Sequence, residues 1–350
     1  MKPTVGLGGR QVGPGLPVLV VAEATINHNG DLTLARRMIE AAGRAGADAV
    51  KFQAYHTEEF LASHDLTYTY VSQGKVVTES QYDMFKRCEL ARADFETLRD
   101  DCRGRGLLFL CTATDVEAAR MLVDIGADAI KVGSDDLVHH PMLRELARLG
   151  KPLILSTGMA ELTEVRRTAR LLEDNGAQDL IFLHCTSIYP TPEDQANVLR
   201  IGTLQRELGC PVGFSDHTFG VSAAPAAVAL GACLVERHFT LDRGLPGPDH
   251  AMSADPPTLE ALVQAVRAAE KNRGSAEVLP SPQELEMRAI ARRSVVARAA
   301  LPAGTVLTRD HVAYKRPGTG VPPMDEEELL GRTTRRDLAE AELIRREDVT

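Results

Sequence analysis

The chain has 350 residues, of which 44% are hydrophobic and only 4% aromatic, and its formal net charge at pH 7 is −9. This length fits a large single barrel, or a barrel with a small second domain. The acidic balance and the scarcity of aromatic rings argue against a nucleic-acid partner, because phosphates need basic surface and single-stranded bases need stacking platforms. No apolar run approaches the roughly 20 residues that span a bilayer, so we expect no membrane partner.

Cysteine usage and the N-terminus bear on the cellular compartment. The six cysteines are scattered without a C-x-x-C pair, and the first residues lack a charged and then apolar signal segment. Disulfide frameworks and signal peptides mark secreted chains. We therefore expect a reduced, cytoplasmic protein.

One local pattern recurs along the first three quarters of the chain: an amphipathic helical stretch, a glycine, and a short aliphatic run. Glycine suits a helix C-terminus because it adopts the left-handed conformation without steric cost. The pattern occurs at Gly46, Gly106, Gly126, Gly150, Gly176, Gly209 and Gly231. With the opening run at residues 17–22, it predicts eight strands alternating with helices. Eight such units over about 250 residues indicate a closed (β/α)8 TIM barrel, and no G-x-G-x-x-G follows the first strand to suggest dinucleotide binding.

Two segments depart from the alternation. Residues 54–92 form a polar stretch far longer than a usual βα loop, which is typical of a functional or mobile segment and would overhang the catalytic face. After Gly274 the alternation stops, which predicts a catalytic domain at 1–273, a charged helical linker at 274–292 and a second domain at 293–350. Residues 300–312 resemble 337–349, so we predict two strand-turn-strand-helix units in a domain of about 60 residues.

Polar residues stand at every predicted strand end, where a (β/α)8 barrel collects its reactive groups. Lys51 and Lys131 directly continue aliphatic strands, and because a buried unpaired ammonium is costly, both indicate an anionic ligand. A single serine or threonine at the end of a strand is more often a turn or cap residue. The prediction of a functional site therefore depends on the whole set of polar residues at the strand ends. The other candidates are Glu23, Gln53, Thr112, Ser134, Asp136, Ser156, Ser187, Tyr189, Ser215 and Glu236.

Two histidines suggest a metal site. His217 and His238 terminate adjacent predicted strands, about 5 Å apart, so their imidazoles could hold one divalent cation, and Mn2+, Co2+ or Mg2+ would suit a shell completed by water. Glu23 and Glu236 are also neighbours, since the last strand of a barrel closes against the first. Such an acid orients water, shuttles protons or holds a cation, and the residues alone leave these roles open.

Seven longer segments stand out as motifs: residues 23–30 (EATINHNG), 46–53 (GADAVKFQ), 155–160 (LSTGMA), 183–190 (LHCTSIYP), 213–218 (GFSDHT), 236–243 (ERHFTLDR) and 247–250 (GPDH). Each resembles a motif of the sialic acid synthase family. Residues 316–320 (RPGTG) are similar to the antifreeze-like SAF domain of that family. The resemblance covers nearly the whole chain, and it implies a TIM barrel followed by a small SAF domain of the β-clip type.

The resemblance also implies an activity: condensation of phosphoenolpyruvate with N-acetylmannosamine or a related amino-sugar aldehyde, releasing phosphate and giving a nonulosonic acid. It implies Mn2+ or another divalent ion on His217 and His238, and Glu23 as the residue that activates the water attacking C2. It further implies a domain-swapped homodimer in which Arg316 reaches the partner's sugar site. The implied substrate contacts are Lys131, Ser134, Thr112 and Ser156 around the phosphate, Lys51, Ser187, Tyr189 and Ser215 near the carboxylate or enol, and Asp249 and Gln53 near the sugar. Asp136 stands where the family often has glutamate.

Three alternatives stay open at this stage. A Schiff-base aldolase would use Lys51 or Lys131 to attack a keto acid without a metal. A sugar- or ice-binding protein led by the C-terminal module would leave the polar barrel mouth unexplained. The same condensation could also use another acceptor, such as a phosphorylated hexosamine, a legionaminate or pseudaminate precursor, or a spore-coat sugar.

Overall fold

The computed structural model describes residues 1–350, which form two compact units, Met1–Gly274 and Ser275–Thr350. The strands are β1 Val5–Leu7, β2 Arg10–Val12, β3 Leu19–Thr25, β4 Ala49–Ala54, β5 Thr67–Ser72, β6 Lys75–Ser80, β7 Leu108–Ala113, β8 Ala129–Val132, β9 Leu153–Ser156, β10 Leu180–Cys185, β11 Val212–Asp216, β12 Leu234–His238, β13 Ser294–Ala297 and β14 Val312–Lys315. The helices are α1 Leu32–Arg44, α2 Thr57–Phe60, α3 Gln81–Cys88, α4 Arg92–Gly104, α5 Val116–Ile125, α6 His140–Arg148, α7 Leu162–Asp174, α8 Arg200–Leu208, α9 Ala223–Ala229, α10 Pro256–Asn272 and α11 Pro282–Ala291.

Eight parallel strands close into a barrel in the order β3-β4-β7-β8-β9-β10-β11-β12, and β12 pairs with β3. The predicted TIM barrel is therefore confirmed. All the glycines that were expected to end helices have a positive φ. Several strands run further than predicted, and β3 continues to Thr25, so Glu23 lies inside the strand rather than at its end.

Strand alternation decides which side chains enter the barrel. In β3, Val20 and Ala22 pack outward in the core shared with the helices, whereas Leu19 and Val21 belong to a second core inside the barrel. Because strand side chains alternate with a period of two, Glu23 shares the inward face of Leu19 and Val21. The same parity brings Lys51, Lys131 and Glu236 into the barrel.

The N-terminal hairpin, which the sequence pattern does not predict, packs against the lower end of the barrel. Strands β1 and β2 pair antiparallel. Their side chains Val5, Leu7 and Val12 are buried in the same cluster as Leu19 and Leu108 at the beginnings of barrel strands. This arrangement seals the barrel at the end opposite to the catalytic face.

The polar stretch at residues 54–92, which we call the excursion, contains regular structure: the short helix α2, the antiparallel hairpin β5–β6 and helix α3. A small apolar cluster joins this segment to the barrel, because Met84 and Cys88 of α3 are buried together with Ile26 and Tyr55.

The C-terminal unit begins with the predicted helical segment, α11, and continues into a small fold with its own apolar core. The predicted duplication is visible in the packing, since Leu301 and Leu338 occupy equivalent repeat positions, are both buried and form a bridge. The expected helix in each repeat is wrong, because each repeat contains only a three-residue 3-10 turn, Arg309–His311 or Arg346–Asp348. The apolar residues of the repeats lack the spacing of three and four that an amphipathic helix needs.

The cysteines and the helices relate to the expectations about disulfides and membrane spans. All six cysteines are free thiols, and all are buried. No helix has both the length and the apolar character that crossing a bilayer requires.

Candidate active site

A cavity of about 830 Å³ opens at the C-terminal ends of the barrel strands. The residues that the sequence placed at the site all line it, except Asp136 and Arg316. Those brought together are Glu23, Lys51, Gln53, Thr112, Lys131, Ser134, Ser156, Ser187, Tyr189, Ser215, His217, Glu236, His238 and Asp249. We call the strand-borne set Glu23, Lys51, Gln53, Thr112, Lys131, Ser156, Ser215, Glu236 and His238 the cavity floor.

Two lysines and two glutamates form a buried charged group on the floor. Lys51 Nζ lies 2.7 Å from Glu23 Oε1 and 3.0 Å from Glu236 Oε2, and Lys131 Nζ lies 3.9 Å from Glu236 Oε1. Burial disfavours the charged form of Lys51. The neighbouring carboxylates of Glu23 and Glu236 outweigh this effect and raise the pKa of the Lys51 ammonium. Burial lowers the pKa of Lys131, whose nearest carboxylate is more distant. The two lysines are thus held near one another by one shared acid, Glu236.

Hydroxyl groups beside this charged group have no protein partner. Ser156 Oγ and Ser187 Oγ are buried and make no hydrogen bond, whereas Ser134 Oγ accepts one from the Gly158 N–H at 3.0 Å. A Cβ at Gly158 would lie 2.2 Å from Ser187 Oγ, so glycine keeps this space open. Buried polar groups normally find partners, and these hydroxyls are therefore donors available to a ligand.

The imidazoles of His217 and His238 converge, with ring centroids 5.2 Å apart. His217 Nδ1 donates to the Thr186 carbonyl at 2.9 Å, which leaves Nε2 as an acceptor. His238 Nδ1 is buried without a hydrogen-bond partner and lies 3.8 Å from Asp249 Oδ2. Burial, and then the nearby His217 and Lys51, lower the pKa of His238 well below its ordinary value, so this ring keeps a lone pair for a metal.

The donor set fits a divalent cation with few protein ligands. No group of three or more histidine, cysteine, aspartate or glutamate side chains is arranged to hold a metal ion, so two imidazoles would share the ion with water or substrate oxygens, as in open catalytic sites. Burial opposes protonation of His217, yet Cys185 and the Thr186 carbonyl raise its pKa. A metal ion would therefore displace a proton from this ring.

The loop that carries Asp249 is held by the motif that follows β3. Asn29 Nδ2 donates to the Pro246 carbonyl at 2.8 Å and lies 3.3 Å from His250 Nε2. Thr240 Oγ1 donates to a backbone carbonyl and lies 2.7 Å from His250 Nδ1, so Nδ1 carries the proton and Nε2 accepts from Asn29. Burial lowers the pKa of His250 to about 4, which preserves this neutral form. The chain of bonds fixes the backbone on both sides of Asp249.

A second connection reaches the same loop from Asn27. Asn27 Nδ2 donates to Ser253 Oγ at 2.9 Å, and Ser253 Oγ donates to the Asp249 carbonyl at 2.6 Å. Burial, and then Glu23, raise the pKa of the Asp249 carboxyl to about 6. The carboxyl is thus positioned by its backbone and placed beside His238.

An ion pair behind the imidazoles joins the two strands that carry them. Arg237 of β12 and Asp216 of β11 are directly paired, both are buried, and Arg237 Nη1 donates to Asp216 Oδ2 at 2.8 Å. Each precedes one of the histidines in sequence and faces out of the barrel. This contact fixes the register in which His217 and His238 meet.

Five further lining residues are not indicated by the sequence pattern. They are Ile26, Tyr68, Gln81, Met84 and Phe85, and we call them the cavity wall. The hairpin β5–β6, which supplies Tyr68, is tied to the Asp249 loop. Its Ser72 Oγ accepts from the Gly247 N–H at 3.1 Å, and Gln73 Nε2 donates to the Gly244 carbonyl at 3.1 Å.

Other lining residues were missed for different reasons. Cys185 lies two residues beyond Leu183 of the inner core, so strand parity alone could have identified it. Asp135, rather than the predicted Asp136, lines the cavity, because the chain turns after β8 and the alternation stops there. Asp136 is half-buried, and burial, followed by the charge of Asp135, raises its pKa to about 6. Arg316 is exposed on the C-terminal unit, and its role at the sugar site stays a prediction.

Comparisons with known proteins agree with this architecture. The NeuB family matches residues 38–278, and the SAF domain matches residues 292–350. The N,N'-diacetyllegionaminic acid synthase of Legionella pneumophila is 38% identical over 323 residues, 91% of each chain. The N-acetylneuraminate-9-phosphate synthase of Mus musculus is 33% identical over 346 residues, 97% of this chain and 95% of the relative. The crystal structure of an N-acetylneuraminic acid synthetase from Leptospira borgpetersenii superposes with a TM-score of 0.74 at 34% identity, covering 81% of this chain and 94% of that one.

Proposed function

This chain belongs to the NeuB family, and we propose that it condenses phosphoenolpyruvate with an N-acetylmannosamine-type amino-sugar aldehyde, releasing phosphate and forming a nonulosonic acid. It is an enzyme, since its relatives are synthases of acids of this class. The observation that carries the proposal is the pair of buried lysines, Lys51 and Lys131, in one cavity with the unpartnered hydroxyls of Ser156 and Ser187. Such a set matches a ligand with both a phosphate and a carboxylate.

The charge balance of the floor supports a metal partner. Lys51 and Lys131 are already matched by Glu23 and Glu236, so a trianionic substrate would bring negative charge that these residues do not offset. A divalent ion on His217 and His238, Mn2+ or alternatively Mg2+ or Co2+, would supply that charge. When bound, it polarises the aldehyde oxygen of the acceptor.

The protein residues then have distinct tasks. Lys131 and the neighbouring serines hold the phosphate, and Lys51 holds the carboxylate, so that C3 of the enol faces the aldehyde carbon. As the C3–C1 bond forms, the aldehyde oxygen takes a proton from solvent and becomes a hydroxyl, and the proton that water loses on attacking C2 restores the balance. Glu23 orients water for attack on C2 and accepts its proton, and the bond between C2 and the bridging oxygen breaks. Phosphate leaves with that oxygen.

Two measurements test the reaction. The purified protein is incubated with phosphoenolpyruvate, Mn2+ and a panel of acetamido sugars, and phosphate release is measured with product mass. Sugar-dependent phosphate release with a product of the summed mass supports the proposal, and its absence with every sugar rejects it. In 18O-labelled water, the label should appear at C2 of the product and not in phosphate. Labelled phosphate would rule out cleavage of the C–O bond.

The proposed functional unit is a domain-swapped homodimer. Helix α11 exposes Leu285, Met287 and Ile290, with 49%, 58% and 65% of their surfaces accessible, and these apolar side chains would be covered by a second copy. In that arrangement Arg316 of the partner subunit would donate its planar fork to the acetamido group. Mixing inactive Arg316→Ala and Lys131→Ala proteins, with subunit exchange, should restore part of the activity. No recovery after proven exchange contradicts the swap.

One observation favours a second candidate, a Schiff-base aldolase. Burial lowers the pKa of Lys131, and a neutral amine is the form that attacks a keto acid. Lys51 does not fit this role, because Glu23 and Glu236 hold it as an ammonium. Borohydride treatment with pyruvate distinguishes the two: a stable adduct on Lys131 favours the aldolase, and an unmodified protein favours the condensation.

A further inference from the structure

Thr191 is buried next to the cavity but does not line it. Only 4% of its surface is accessible, and it is not among the lining residues. It ends the segment of residues 186–191 that follows β10, which we call the 186–191 loop, and this loop carries Ser187 and Tyr189 into the cavity. A buried hydroxyl needs hydrogen-bond partners, and the partners of Thr191 are backbone groups of the site itself.

The hydroxyl of Thr191 closes the 186–191 loop on itself. Thr191 Oγ1 donates to the Ile188 carbonyl at 2.8 Å and to the Thr186 carbonyl at 3.2 Å, so one proton is shared between two acceptors. The Ile188 N–H also donates to the Thr186 carbonyl, at 2.9 Å. The position of the Thr186 carbonyl therefore depends on Thr191, both directly and through Ile188.

The same carbonyl orients the ring of His217. His217 Nδ1 donates to the Thr186 carbonyl at 2.9 Å, and the backbone N–H of Thr191 donates to the His217 carbonyl at 2.8 Å. Thr191 thus holds the backbone of His217 with its amide and the acceptor of the ring proton with its hydroxyl. Because the proton lies on Nδ1, the lone pair of Nε2 is free for a cation.

Other contacts hold the backbone beside His217 but not its ring. Asp216 Oδ1 accepts from the Thr218 N–H at 2.9 Å and from Thr218 Oγ1 at 2.8 Å, while Oδ2 accepts from Arg237. These bonds fix the residues before and after His217. The rotation of the imidazole about its own side-chain bonds is left to the contact with the Thr186 carbonyl.

We propose, on the basis of the proposed function, that Thr191 is a positioning residue for the metal site. Through the Thr186 carbonyl, its hydroxyl keeps the His217 ring turned so that Nε2 presents its lone pair to the divalent cation. Groups that orient a metal-binding histidine in this way are worth about 10- to 100-fold in metal affinity. Thr191 contributes this effect without touching the metal or a substrate.

The test measures Mn2+ binding to the full chain by titration calorimetry, without substrates. Thr191→Val keeps the branched shape and the backbone N–H but lacks the hydroxyl, so the Kd for Mn2+ should rise by at least about tenfold. Thr191→Ser retains the hydroxyl and should stay within about threefold of the parent. If the valine variant does not fold, Thr191→Ala is compared with Thr191→Ser, since the two differ by a single oxygen, and the same difference is expected.

Thr168→Val is the matched control for a purely structural loss. Thr168 is fully buried on α7, and its Oγ1 donates to the Leu137 carbonyl at 2.9 Å, outside the cavity. Urea unfolding should show a similar loss of stability for Thr168→Val and Thr191→Val, whereas Thr168→Val should bind Mn2+ within about twofold of the parent.

Two results overturn the inference and leave the proposed metal site in place. One is equal Mn2+ affinity in Thr191→Val and Thr168→Val, and the other is binding by Thr191→Ser that is as weak as that of the variants without the hydroxyl. Failure of the parent protein to bind Mn2+ overturns both the metal site and the role of Thr191.

Discussion

The floor and the wall of the cavity differ in how their residues are held. Floor residues such as Lys51 and Glu236 project from barrel strands, are buried, and are linked by ion pairs of 2.7 to 3.9 Å. Wall residues such as Tyr68 and Phe85 come from the excursion between β4 and α4, and Tyr68 is 38% exposed. The floor is therefore buried and charged, whereas the wall is neutral and combines buried residues with the partly exposed Tyr68.

This difference separates two tasks. Substitutions on the floor disturb charges that balance one another, so they should affect the common chemistry. Substitutions on the wall change contacts to one substrate and leave the ion pairs intact. On the proposed function, this separation would let one barrel keep its reaction while the segment between β4 and α4 adapts to different sugars.

The largest effect is expected at the floor. Lys51→Met leaves Glu23 and Glu236 without their shared cation, so kcat/KM should fall by at least about 10³-fold and the free energy of unfolding by about 3–5 kcal/mol. Steady-state phosphate release and urea unfolding measure both quantities. Lys75→Met, at the exposed hairpin, is the control and should change neither. Activity of Lys51→Met within about tenfold of the parent would contradict the assignment of the floor.

A somewhat smaller loss is expected for the imidazole pair. His238→Ala should weaken Mn2+ binding, measured by titration calorimetry, by at least about 100-fold with an unchanged circular dichroism spectrum. Binding to the parent should also weaken as pH falls, because a proton on His217, whose pKa is raised, competes with the metal. His64→Ala, an exposed histidine on the excursion, should bind Mn2+ normally. Full activity after thorough chelation would exclude the metal site.

An intermediate effect is expected where the floor meets the wall. Asn29→Asp keeps the side-chain shape and tolerates the positive φ of 53° at this position, but it loses the donor to Pro246 and His250. The Asp249 loop should loosen, and KM for the acceptor should rise about tenfold while KM for phosphoenolpyruvate stays within about twofold. Initial-rate kinetics in both substrates separate the two constants. An equal rise of both would indicate general disorder of the cavity.

The smallest effect is expected on the wall itself. Phe85→Leu removes part of an aromatic surface that contacts Phe60 and Tyr55 edge-on, with centroids 5.1 and 5.4 Å away. KM for the acceptor should rise by about five- to tenfold, with kcat and KM for phosphoenolpyruvate unchanged. Val76→Ala, a change at an exposed position of β6, is the control. A loss of kcat in Phe85→Leu would show that the wall contributes to the chemistry.

Much of the floor could be predicted because its information is local. The period-2 alternation of strands and the glycines that end helices are properties of short segments, so Glu23, Lys51, Lys131 and Glu236 were recognisable from their positions alone. The same alternation would have identified Cys185.

The wall, the pairing of Asn29 with the Asp249 loop, and the N-terminal hairpin at the barrel end depended on the tertiary structure. In each case residues far apart in sequence come into contact through packing. The periodicity of a short segment does not predict which face of a loop or hairpin turns towards the barrel. Asp135 lines the cavity in place of the predicted Asp136 for a similar reason, because a turn after β8 interrupts the strand alternation. The sequence by itself determined the barrel and the charges at its strand ends, whereas long-range packing of the connecting segments decided which side chains form the wall of the cavity.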